Sequence, residues 1–191
     1  MRWFPALLFV SLALLAAGCG SKKEAATTST IPILPDARTS DEWAQRIVNR
    51  FLTPVNKDLQ VLNGLNSPQI QIYIASGNKT TVGVIERRMT DLTHCTDKLV
   101  TIGPPTSDDD QFQRVDRLFH SACRNYEKVA AAVLDAVPLL SSGRTDVIQE
   151  GQKRLRKMIP ASEAAARDFQ KAIKIAQTRP EFRNAGLQSS S

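Results

Sequence analysis

Few residues in this 191-residue chain have the types and spacing to do chemistry. Cys95 and Cys123 each have a histidine close by: His94 adjoins Cys95, and His120 precedes Cys123 by three residues, close to one helical turn. Two cysteines and two histidines form a nominal zinc set. Adjacency argues against it, because neighbouring helical residues point about 100° apart and do not converge on one ion. No Cys-X-X-Cys or His-Glu-X-X-His spacing supports it either, so no metal is expected. Two fates then stay open for the cysteines, a disulfide or a pair of buried thiols packing as small apolar groups.

Catalytic chemistry finds little material. There is no Gly-X-Ser-X-Gly elbow, no phosphate-cradling glycine loop, and no pair of carboxylates in an apolar context. Asp108-Asp109-Asp110 lacks the alternating oxygen ligands and Gly-X5-Glu pattern of a calcium loop, and reads as helix capping. The chain is not expected to be an enzyme or to carry a cofactor.

Charge is a stronger signal. Residues 144–179 hold nine Lys or Arg against four Asp or Glu, a net of +5. The same surplus remains for the whole chain after residue 18: Arg2 is the one basic residue before it, leaving 24 basic against 19 acidic residues. The excess therefore sits in the last long segment. Lys153, Lys157, Arg167, Lys171 and Lys174 fall opposite its apolar residues, with Arg154 and Arg156 flanking. Such a face suits an anionic lipid surface, an acidic wall polymer or a protein partner; its bland counterpart is a solvated helix side.

The N-terminus says where these residues act. Arg2 gives a positive start, Leu7 to Ala17 form an apolar run broken only by Ser11, and Ala16-Ala17-Gly18-Cys19 closes it. This is the layout of an export signal, too short in its apolar part to cross a bilayer core of about 30 Å. With a cysteine at the cut point it resembles a bacterial lipoprotein signal, although Ala16 stands where leucine is commoner. The resemblance covers about the first twenty residues. It implies cleavage before Cys19, a diacylglyceryl thioether on that residue with acyl chains such as palmitate, and attachment to the extracytoplasmic face of the cell membrane. Nucleic acid is not a partner expected there. Export also implies an oxidising compartment, which favours a disulfide between Cys95 and Cys123.

Helices must position these groups. Apolar residues recur at three- and four-residue steps in four segments. The first runs from Asp41 to about Leu65, with Ala44, Ile47, Val48, Phe51, Val55, Leu59 and Leu62 inward, a capping box at Thr39 and Glu42, and a kink or a nearby break expected at Pro54. The second, from Pro68 to about Ile102, reads as one long helix, with a hairpin over 68–85 followed by a helix as the alternative. The third follows Gly103-Pro104-Pro105 and carries Phe112, Val115, Phe119, Ala122, Tyr126, Val129, Val133 and Val137. The fourth spans about Asp146 to Gln177, bent at Pro160.

The expected organisation is a signal peptide over 1–18, a flexible tether over 19–38, an all-α domain over 39–179 and a disordered tail over 180–191. The domain is expected to be an antiparallel four-helix up-down bundle. One difficulty attends the disulfide: with helix three starting at its first capping residues, the cysteines stand about 15 Å out of step along neighbouring helices. A later start of that helix removes part of the mismatch. The expected function is a membrane-anchored lipoprotein whose helical domain binds or scaffolds a partner. The alternative is a carrier of a small apolar ligand or metal, which needs a gap among Phe51, Phe119, Tyr126 and Phe169.

Overall fold

A computed structural model describes residues 37–106 and 108–188. The expected signal peptide, Cys19 and nearly all of the tether lie outside the described residues, as do 189–191. The described residues are all-α, with no strand among them.

The first helical run comprises α1 (Ser40–Arg46), a wider π-helical turn over Ile47–Leu52, and α2 (Thr53–Gly64). Thr39 Oγ1 accepts the Glu42 N–H at 3.1 Å, and Glu42 in turn accepts the Arg38 N–H at 2.8 Å. That backbone bond, together with Arg46, holds the Glu42 carboxyl below its ordinary range. Pro54 does not break the run. The helix opens to longer hydrogen bonds just before it, with the Thr53 N–H and hydroxyl both donating to the Val48 carbonyl. Pro54 then falls in the first turn of α2, directly after that π-helical turn.

The single helix expected over 68–102 is instead three: α3 (Pro68–Ala75), α4 (Lys79–Leu92) and α5 (Cys95–Ile102). The hairpin alternative over 68–85 is not seen either. Gly77 takes φ +66°, which a helix cannot hold, and Asn78 Oδ1 then caps α4 by accepting the Thr81 N–H at 3.0 Å. The second break, at Thr93-His94, is stabilised from outside. Glu127 on the following helix accepts the Thr96 N–H at 2.6 Å and so serves the open start of α5.

The long helix α6 (Asp110–Leu140) starts late, capped by Asp109, whose Oδ1 accepts the Gln111 N–H at 2.8 Å. It ends at Leu140, just past Pro138. The fourth segment is broken where a bend was expected: α7 (Thr145–Lys157) stops, Met158 adopts φ −91° and ψ −3°, and α8 (Ile159–Thr178) begins with Pro160 in its first turn.

The expected disordered tail needs correction over residues 180–188. Pro180 starts a short helix, α9 (Pro180–Asn184), rather than ending order, and Phe182 and Leu187 are buried. Phe182 lies 5.8 Å from Trp43, edge to face, and stacks on Phe112 at 5.9 Å between centroids. Arg179 binds Asp109 at 2.8 Å and sits 5.0 Å above the Phe112 ring, a cation over a π face. Composition suggested fraying; one buried aromatic residue and one arginine reverse it.

Helix α6 is the central element. It packs along α8 and α7, and also against α4 and α5. The first run joins through Trp43 and Phe51, which touch Phe112 and Phe119 of α6, while α1 also meets α9. Every α6 residue expected inward is buried.

Candidate functional site

Cys95 opens α5 and Cys123 lies in mid-α6; the two are joined in a disulfide with Cα atoms 5.2 Å apart, and both are fully buried. The break at His94 and the late start of α6 explain how they meet. Cys95 is about 10 Å from the end of α5 and Cys123 about 20 Å from the start of α6. The connection Gly103–Asp109 makes up the difference of roughly 10 Å, since chain of that length can reach about 20 Å. Gly103, at φ +81°, turns the chain there and accepts the Trp43 indole N–H at 3.0 Å. The connection is thereby tied to α1.

The histidines pair with acids on their own helices or turns. His94 Nδ1 lies 3.0 Å from Asp97, largely exposed, and His120 Nε2 lies 3.7 Å from Asp116. Burial pushes the Asp116 carboxyl up against the pull of His120 and Arg117. With both sulfurs in a disulfide they are not thiolate ligands, and among the described residues no three His, Cys, Asp or Glu side chains gather as a metal-holding group.

Lys153, Lys157, Arg167, Lys171 and Lys174 are all exposed. The break at Met158 divides them: the first two belong to α7 and the other three to α8. On α8 the three lie opposite Ala165, Phe169, Ala172 and Ala176, the buried face against α6. On α7 the basic residues crowd the last turn, where helix carbonyls favour cations, so part of their clustering has a purely structural cause. Arg154 also pairs with Glu150 at 3.3 Å.

The rings expected to border a cavity touch one another. Phe51 to Phe119 is 5.1 Å between centroids, Phe119 to Phe169 5.4 Å, and Tyr126 to Phe169 6.1 Å. These are edge-to-face contacts of a filled core. Burial pushes the Tyr126 hydroxyl well above its ordinary range.

One polar cluster was missed by sequence reasoning. Asp58 is 1% exposed, between Lys98 at 3.1 Å and Arg88 at 3.4 Å. Loss of water pushes its carboxyl up, and the nearby Asp91 adds to this; Lys98 and Arg88 pull the other way. The signal was present, because Asp58 falls between Val55 and Leu59 on the inward side of α2. Its cations come from helices whose placement the sequence does not give.

Comparison with protein-family models, with curated proteins and with solved structures finds no match in any of the three. No helix among the described residues is long and apolar enough to cross a membrane.

Proposed function

We propose that this chain is an exported lipoprotein, anchored through lipid on Cys19 to the extracytoplasmic face of the cell membrane, whose all-α domain works by binding a partner. The observation that carries this reading is the Cys95–Cys123 disulfide. Such bonds persist in oxidising compartments and are rare where thiols are kept reduced. An export signal at one end and a disulfide in the core agree on the same side of the membrane.

Within the domain, the four helical runs form an antiparallel up-down bundle around α6, with α9 closing one end. The contacts among Phe51, Phe119, Tyr126 and Phe169 favour a binding or scaffolding role over a carrier with an internal cavity. Partner contact is assigned to the exposed cations of α7 and α8, which suit an anionic surface. No residue is assigned to catalysis.

Labelling with a radioactive fatty acid tests the anchor. The parent chain takes up palmitate label, and Cys19→Ala takes up none. An unlabelled parent, or a Cys19→Ala chain that still carries label, overturns the reading.

A further inference from the structure

The end of the domain built by α2, α3 and α4 is unlike the rest of the surface. From Leu59 to Ile85 the chain has no aspartate or glutamate and a single cation, Lys79. At the average frequency of charged residues, about a quarter, such a stretch carries about six or seven. Helix α3 is apolar on opposite sides. Ile74 turns inward at 4% exposure, but Ile72 is 65% exposed and Tyr73 37%. Val84 on α4 is 37% exposed and lines a cleft of about 370 Å³ with Val61 and Ile70. One exposed isoleucine needs no explanation. Three large exposed apolar side chains on α3 and α4, in a stretch of chain without carboxylates and with an apolar cleft lined by Val84, mark a contact site.

What covers it is narrowed by reach and charge. The apolar stretch Ile31-Pro32-Ile33-Leu34 belongs to the same chain but joins the domain at Ala37. From there the run from Ser40 to Gly64 extends on the order of 35 Å to the α2–α3 end. Six residues reach no further than about 20 Å, so this stretch cannot cover the cleft. A bilayer surface fits better. Between Leu59 and Ile85 the chain offers phosphate headgroups no negative charge, and it offers one lysine, uncharged polar groups at Gln69, Gln71, Ser76 and Asn78, and apolar side chains for the acyl boundary. Tyrosine is enriched at that boundary. Eighteen residues from Cys19 to Ala37 span at most about 60 Å, so an anchor at Cys19 leaves the tip free to reach the same membrane.

We infer that the α2–α4 end is a lipid-contacting tip, with Ile72, Tyr73 and Val84 entering the headgroup region of the bilayer. The identity of that membrane rests on the proposed anchor; the contact itself is testable without it. A chain from residue 19 onward with Cys19→Ser retains every core residue found among the described residues and carries no lipid. Its co-flotation with phosphatidylcholine vesicles is compared with that of Ile72→Glu and Val84→Glu, with circular dichroism confirming that these exposed positions leave helicity intact. Flotation of the parent, insensitive to salt and falling about tenfold in each variant, supports the inference. A polarity-sensitive dye on Ile72→Cys that brightens with vesicles supports it also. No flotation of the parent overturns it, as does flotation unchanged in both variants. Binding confined to anionic vesicles, and lost in salt and in Lys171→Glu/Lys174→Glu, overturns it in favour of the basic face. Self-association without vesicle binding, abolished by the same Glu variants, shows a second copy as the occupant and overturns it too. Fatty-acid labelling and flotation fail separately, which keeps the two readings distinct.

Discussion

Replacing Phe182 by alanine tests whether the C-terminal segment belongs to the fold. The ring is fully buried and lies against Trp43 and Phe112, which come from the first helical run and from α6. Truncating such a phenylalanine costs about 3–5 kcal/mol, the lost transfer energy plus a cavity the neighbours fill only in part. In a domain of this size each kcal/mol is about 2–4 °C, so melting falls by roughly 10 °C. The upper limit is set by how strongly α9 docks: if the five-residue helix detaches as a unit, the loss equals its docking free energy instead. Arg179→Ala, which removes the Asp109 pair and the cation over Phe112 but leaves Phe182 in place, costs about 1 kcal/mol. Urea denaturation with equal m-values measures both. A loss below about 1 kcal/mol for Phe182→Ala contradicts the packing described here and returns residues 180–188 to the frayed tail that their composition suggests.

Reduction of the Cys95–Cys123 bond, which spans a sequence separation of 28, lowers stability by about 3.5 kcal/mol in the loop-entropy account. Thermal melting with and without reductant reads this as a drop of roughly 10 °C, and an unchanged melting point contradicts it. Asp58 gives a pH signature. Its carboxyl is raised in the folded chain, so its protonated form favours folding at low pH, and that contribution is lost as pH rises through the raised value. The stability of the parent minus that of Asp58→Asn therefore falls as pH increases above about 4, measured by denaturation at several pH values. A difference that grows with pH shows instead that Lys98 and Arg88 outweigh the burial.

Much of the core was legible because helical periodicity is a direct record of burial. Phe112, Val115, Phe119, Ala122 and Tyr126 needed no tertiary information to be placed inward. Breaks were harder to read. Apolar spacing runs on through Gly77 and Thr93-His94, because each break returns the next helix to the same core. Gly77-Asn78 carried a local signal, whereas the start of α5 is capped by Glu127, 31 residues further on. Proline was read correctly in kind and wrongly in degree: Pro54 is accommodated by a π-helical turn, and Pro160 begins a new helix. The tail was misjudged because one aromatic residue among polar ones carries little compositional weight, although it decides the packing. The disulfide was readable from the compartment expected of the chain, against the longitudinal mismatch that the late start of α6 removes. Lys153, Lys157, Arg167, Lys171 and Lys174 were readable as exposed, but not the break at Met158 that divides them between two helices.

The intact mass of the protein extracted from membranes, before and after thiol alkylation without reductant, reads the anchor and the compartment in one experiment. The expected result is a chain that begins at Cys19, carries a diacylglyceryl-type lipid on that residue, and resists alkylation because Cys95 and Cys123 are bonded to each other. An unmodified chain that retains residues 1–18 and alkylates at Cys95 and Cys123 contradicts both the anchor and the compartment.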